Sequence, residues 1–298
     1  MGELKEGKVL KGRYEIARII EETPDHVLYL AHDKLSHGAA LSVREIKAKT
    51  KSGKSSRVEL AQKEAQILSS LSHPGIPRFV DFFTGVDCHY FITEFIEGDP
   101  LEVLLKSRGT PFEFKDVAPW ALQLCDIVTY LHTKEKPIIV RGIQPSSIVL
   151  TFKNDIKLTN FGMARQFDEI KTIDTVFVWN PGYTSPEQYG KQKSDVRSDI
   201  YSFGATFYNL LTNQDVGSMN FNFPSPAAFN STIPSGAESI VMKCLAINPD
   251  ERYQMISEVK EDILKLDTSS RSEPSSRNTE APRKAGIIDK LFGFMKKR

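Results

Sequence analysis

Short β-branched and aromatic runs fill the first third of the chain: Tyr14 to Ile20, Val27 to Ala31 and Leu41 to Ile46, parted by polar turn residues, then Phe79 to Phe83 and Tyr90 to Ile96. Runs of this kind predict five strands of an antiparallel sheet. Alternation in the third run puts Ser42 and Arg44 on one face. Between the third and fourth runs Leu60, Glu64, Ile67 and Leu71 recur at helical spacing, a stripe with a carboxylate inside it. A carboxylate placed there wants a cationic partner; the alternative is that Glu64 sits solvated at the rim. Glu97-Gly98-Asp99-Pro100 reads as the turn that ends this region.

Beyond that turn the pattern shifts to helices. Leu101 to Lys106 and Val117 to His132 are predicted helical, the second with Pro119 near its start, where proline is tolerated. Ile200 to Leu211 is apolar almost all round and predicts the buried axis of the second half. Ala237 to Leu245 and Ser257 to Leu266 complete a mainly helical region. At Asp267 the apolar pattern stops, and residues 267–283, rich in Ser, Arg and Glu with two prolines, read as a disordered linker. Residues 284–298 then regain a helical face.

A chain of 298 residues with 40% hydrophobic residues can bury a real core, as one two-lobed domain or two small ones. The formal net charge of +1, with both signs spread along the chain, gives no general case for a nucleic-acid partner. Cys88, Cys125 and Cys244 lie far apart with no C-x-x-C pair, so neither a zinc site nor a disulfide framework is expected, and reduced cytoplasmic thiols are the simplest expectation. No apolar run reaches the roughly 20 residues of a membrane-spanning helix. The opening residues lack a signal peptide's apolar stretch, so export by that route is not expected.

The chemistry gathers around Val140 to Leu150. The order of markers is the Arg44 strand, Glu64, His73-Pro74, Glu94, the Arg141 loop, Asn160-Phe161-Gly162, Gly182-Tyr183-Thr184-Ser185-Pro186-Glu187, Asp199 to Gly204 and Arg252. This series resembles the eukaryotic-like Ser/Thr protein kinases over about Arg13 to Leu266, and Ser185-Pro186-Glu187-Gln188-Tyr189 looks most like bacterial members. The resemblance implies an α+β, two-lobed protein-kinase-like fold over 13–266: a five-stranded antiparallel N-lobe with one helix (about 13–96) and a mainly helical C-lobe (about 97–266).

The same resemblance exposes losses. Kinases cover the phosphates with G-x-G-x-x-G-x-V and carry H-R-D-L-x-x-x-N and D-F-G. Here Glu21, Thr23 and His26 stand where the glycines should, with Glu22 and Asp25 adding charge and Pro24 removing an amide donor. The strand lysine is Arg44, which can still pair with Glu64 but is not equivalent to lysine. The proton acceptor is Gly142, the loop lysine Gln144, the loop asparagine Ser147, and the metal-binding aspartate Asn160. A neutral carbonyl oxygen is a weaker ligand for a hard cation. The resemblance thus implies a degenerate member, a pseudokinase, with no catalytic residue expected at Gly142, Gln144, Ser147 or Asn160. No metal and no required cofactor are expected, and Arg44 and Glu64 are the candidates for a residual, low-affinity contact with ATP. The alternative is a divergent active Ser/Thr kinase with weak or atypical ATP use.

What the resemblance implies as kept is scaffold. Glu187 and Arg252 match a buried ion pair, Asp199 a carboxylate that caps the loop backbone, and Phe161 with Leu68 a packed column linking the lobes, where Val140 replaces a histidine. Arg141 matches a residue that pairs with phosphate on the activation segment, where Thr172 and Thr175 lie; the plainer alternative is that Arg141 only bonds backbone carbonyls. In the tail, Ile287, Ile288, Leu291, Phe292 and Met295 share one helical face beside the basic Lys296, Lys297 and Arg298. This resembles short amphipathic membrane-targeting helices and predicts a membrane-surface anchor or a partner-docking peptide. The expected protein is a cytoplasmic scaffold or regulator, peripheral at the inner face of the cell membrane. Its expected partner is an active kinase or a phosphothreonine-binding protein, and no nucleic acid.

Overall fold

The computed structural model describes residues 4–24, 26–47, 56–167, 180–189 and 193–270. Two compact units emerge, one of Met1–Ile96 with Phe161–Arg165 and one of Glu97–Asn160 with Gln166–Arg298.

In the first unit, strands β1 (Val9–Leu10), β2 (Tyr14–Glu22), β3 (His26–Asp33), β4 (Ala39–Lys47), β5 (Phe79–Thr84) and β6 (Cys88–Glu94) form one antiparallel sheet in the order β1-β2-β3-β4-β6-β5. The sheet has six strands where the apolar runs predict five. The extra one, Val9–Leu10, is too short for a pattern and exists through its pairing with Glu15 and Tyr14. The sheet curls: Asp81 on β5 accepts bonds from Lys11 Nζ at 3.1 Å and Tyr14 Oη at 3.0 Å, joining its two edges. Inside the curl Tyr14, Ile16, Tyr29, Val43 and Ile92 are fully buried. On the strands this follows from period-two alternation of β-branched and aromatic residues.

Helix α1 (Ser56–Ser69) lies between β4 and β5 in sequence. Its buried face is Val58, Ala61, Glu64, Ala65, Ile67 and Leu68. The predicted stripe therefore shifts: Leu60 is half-buried and Leu71 falls past the helix end, because the small side chains Ala61 and Ala65 let the helix approach the sheet closely.

In the second unit Gly98–Pro100 is a strand, β7, which corrects the turn expected at 97–100. It pairs antiparallel with β9 (Ile148–Thr151), whose other neighbour is β10 (Ile156–Leu158); the two-residue strand β8 (Ile138–Ile139) is fully buried. A Cβ on Gly98 would lie 2.2 Å from the Leu150 carbonyl oxygen, so only glycine admits this pairing. Helices α2 (Leu101–Arg108), α3 (Phe114–His132), α4 (Pro186–Tyr189), α5 (Val196–Thr212), α6 (Ser235–Cys244) and α7 (Ile256–Ser270) follow. Helix α3 begins before the predicted Val117, which places Pro119 in its second turn. Helix α7 runs to Ser270, past the Asp267 at which the apolar pattern ends.

Helix α5 is the buried axis of this unit, with nearly every residue from Ser198 to Thr212 inside. Asp195 caps its first turn, accepting the Arg197 amide at 2.8 Å, and Asn213 ends it in the left-handed conformation at φ 55°. No described helix is long and apolar enough to cross a membrane.

Candidate functional site

The loop from Val140 to Leu150 is held from below by the first turn of α5. Asp199, fully buried, accepts the backbone amides of Val140 and Arg141, each at 2.8 Å, and meets His132 Nε2 at 2.9 Å. Two amides on one buried carboxylate satisfy its charge and fix the loop's entry. Arg141 itself stands at φ 56°, an uncommon backbone for a non-glycine residue, which this double anchor sustains.

Past that point the loop closes on itself. The Ser147 hydroxyl lies 2.8 Å from the Gly142 carbonyl and 2.9 Å from the Gln144 carbonyl, and accepts the Gln144 amide at 3.1 Å. The Ser147 side chain is buried and its one hydroxyl proton is shared between two carbonyls of its own loop. Gly142 is buried too, yet a Cβ there would meet nothing nearer than the Val140 and Asn160 carbonyl oxygens, at 3.8 and 4.0 Å. Backbone geometry leaves room for a Cβ that the sequence does not supply. Asn160 is exposed and Gln144 half-buried.

In the first unit, register places Arg44 on β4 between Leu28 on β3 and Phe91 on β6. Its guanidinium sits over the Phe91 ring at 4.5 Å and pairs with Glu64 of α1, which is only 3% exposed. The carboxylate is therefore not at a solvated rim. Its other oxygen accepts the Phe161 backbone amide at 3.4 Å. The Arg44 Nε is buried and meets no acceptor among the described residues. Leu68 and Phe161 are both buried in this unit, and Val140 is buried in the other.

The hairpin between β2 and β3 is closed by its own groups. The Thr23 amide donates to the His26 carbonyl at 2.9 Å, and the His26 amide to the Thr23 hydroxyl at 3.1 Å. Amides committed in this way are not free to cradle phosphate oxygens. The Glu21 and Glu22 carboxylates, on the last residues of β2, are exposed.

Glu187 on α4 and Arg252 form a two-toothed pair, Nη1 to Oε1 at 3.0 Å and Nη2 to Oε2 at 2.8 Å. Arg252 is fully buried and also donates to the carbonyls of Ala246, Arg197 and Ile247. Burial alone would push the Glu187 carboxyl up, but the Arg252 guanidinium and the Ser198 hydroxyl outweigh it and hold the carboxyl below its ordinary range.

Sequence reasoning missed three participants: His132 on Asp199, Ser198 on Glu187, and Phe91 under Arg44. A histidine in the last turn of a helix, a serine in a helix's first turn and an aromatic on a strand carry no local mark of these duties. Thr172 and Thr175, and the tail residues Ile287, Ile288, Leu291, Phe292, Met295, Lys296, Lys297 and Arg298, lie outside the described residues. Among the described residues no group of three or more His, Cys, Asp or Glu side chains is placed to hold a metal ion. At the two positions that bind metal in kinases the chain offers a serine hydroxyl and a neutral asparagine carbonyl, weaker donors for a hard divalent cation than a carboxylate.

A curled antiparallel sheet with one packed helix, a mainly helical second unit and a loop hung from an aspartate of its central helix define a kinase-type fold. The protein kinase domain model matches residues 29–264, and the chain belongs to that family. It is 28% identical to a probable serine/threonine-protein kinase of Clostridium perfringens, across 92% of this chain and 41% of that protein. It is also 27% identical to the serine/threonine-protein kinase PrkC of Bacillus subtilis (86% and 41%) and 27% identical to the serine/threonine-protein kinase PknB of Mycobacterium tuberculosis (92% and 46%). The chain thus spans less than half the length of each of these relatives.

Proposed function

We propose that this kinase-family chain is a pseudokinase, a scaffold or allosteric regulator of a protein partner that does not itself transfer phosphate. The observation that carries this is the closed loop: Gly142 supplies no proton acceptor although its backbone would admit a Cβ, and the Ser147 hydroxyl gives its proton to the Gly142 and Gln144 carbonyls. Phosphoryl transfer rests on positioning and electrostatic stabilisation, so losing the acceptor and weakening both metal ligands leaves little to accelerate it. The self-satisfied Thr23–His26 turn points the same way. ATP then binds weakly at most, through Arg44, and without magnesium. The partner class is an active kinase or a phosphothreonine-binding protein, and residues 284–298 position the chain at a membrane surface.

A divergent active kinase is the second reading, favoured by the assembled Arg44–Glu64 pair and by relatives named as serine/threonine kinases. A thermal-shift titration with ATP, with and without magnesium, followed by a labelled-phosphate assay separates the two. A flat melting response and no label on the chain or on a generic acceptor are expected. Transfer of label dependent on magnesium overturns the pseudokinase reading.

A further inference from the structure

We propose that, away from a membrane, residues 284–298 fold back onto the surface of the second unit at the start of α7, and that this surface competes with anionic lipid for the tail. The competition rests on the reading of the tail as a membrane anchor given above. Seven large apolar side chains stand exposed among the described residues, and three of them, Ile247, Met255 and Leu264, belong to α7 or to the segment leading into it. Ile247 and Met255, 62% and 58% exposed, mark the two ends of that segment. Its backbone is tied down: Arg252 donates to the Ile247 carbonyl at 3.1 Å, and Gln254 Nε2 donates to the carbonyls of Pro249 at 3.2 Å and Arg252 at 2.9 Å. Apolar bulk is thus held out to water on a fixed frame, so covering it loses little ordering entropy. The same stretch is acidic at its surface. Arg252 is spent on Glu187, Lys260 on Asp126 and Asp250 on Arg197, which leaves the exposed carboxylates of Glu251 and Glu261. The tail carries the complement, an apolar face from Ile287 to Met295 beside Lys290, Lys296, Lys297 and Arg298. The reach fits as well. Helix α7, 15 residues, is about 22 Å long. Residues 271–283, the part of the linker beyond α7, span about 20 Å as the flexible polar chain their sequence predicts. The linker can therefore return the tail to the start of α7, at an effective concentration in the millimolar range that fills even a weak site. A tail docked there is withheld until anionic lipid displaces it.

Zero-length carbodiimide crosslinking of the dilute full chain, read by peptide mass spectrometry, tests the dock. Links from Glu251 or Glu261 to Lys290, Lys296 or Lys297 are expected in the monomer at about ten times the yield of links from Glu21 or Glu22, exposed carboxylates of the other unit. Ile247→Ser combined with Met255→Ser changes only exposed side chains and is expected to lower that yield about tenfold. In sedimentation with vesicles of phosphatidylserine and phosphatidylcholine, the same double variant is expected to bind about threefold more tightly than the native chain, as it does if about two-thirds of native tails are docked. Links spread evenly over the carboxylates, links confined to a crosslinked dimer, or a yield unchanged by the double substitution overturns the dock. So does vesicle binding that the double substitution leaves unchanged. Vesicle binding by neither protein, with the links present, supports the fold-back and removes only the competition with lipid, together with the anchor reading. Vesicle binding with no links supports the anchor and overturns the dock alone.

Discussion

Glu187 and Arg252, on elements 65 residues apart, meet through two parallel hydrogen bonds of 3.0 and 2.8 Å with the arginine fully out of solvent. Removing one partner leaves the other charged and buried. Arg252→Met is expected to destabilise the second unit by about 3–5 kcal/mol, and the double substitution with Glu187→Leu to recover part of that. Urea denaturation followed by circular dichroism checks both; a loss under about 1 kcal/mol for Arg252→Met contradicts a buried-pair role.

The same pair sets an acid limit. The folded Glu187 carboxyl is held below its unfolded range, so its contribution is fully present above the unfolded value of about 4.3 and is lost as pH falls through the lower, folded value. Stability of the native chain is expected to fall more steeply below about pH 4 than that of Glu187→Gln, which has no proton to take up. Parallel curves for the two proteins in denaturation at stepped pH exclude this linkage.

Asp199 serves two amides at once. Asn offers one acceptor and presents an N–H₂ group to the second amide, so Asp199→Asn is expected to cost about 2–3 kcal/mol and to loosen the loop. Faster amide exchange across 140–147 with the centre of α5 unchanged is the expected signature.

In the loop, Gly142→Asp is expected to fold normally, since its Cβ would have no neighbour under 3.8 Å and the backbone is not in a glycine-only region. It is also expected to restore no phosphate transfer, because Gln144, Ser147 and Asn160 remain. Ser147→Ala is expected to cost about 1–2 kcal/mol by freeing the Gln144 amide and the Gly142 carbonyl. Substantial transfer by Gly142→Asp alone would show that the other losses matter little.

Residues 284–298 are expected to carry the chain to anionic vesicles. Sedimentation of the full chain against a variant with Ile288→Asp and Leu291→Asp checks it; about a tenfold loss of pelleting is expected, more at high salt. Equal pelleting of both removes the membrane role.

The alternation and helical spacing along the chain determined most of the order of strands and helices and the burial of α5, and the sequence also states which residue types stand at Gly142, Gln144, Ser147, Asn160 and the Glu21–His26 turn, positions that the resemblance to kinases singles out. These are local properties, carried by residue type and period. That a carboxylate on the stripe of α1 needs a cation is likewise chemistry legible in the sequence. Tertiary structure decided what depends on groups distant in the chain. Gly98–Pro100 becomes a strand because Ile148–Thr151 offers its backbone a partner, and Val9–Leu10 becomes one beside Tyr14 and Glu15. Phe91 lies under Arg44 because of the β4–β6 register. The Ser147 hydroxyl turns inward because the Gly142 and Gln144 carbonyls of its own loop stand within reach of it. Backbone pairing and burial leave no local mark on a sequence, since each is satisfied only when two remote segments arrive together.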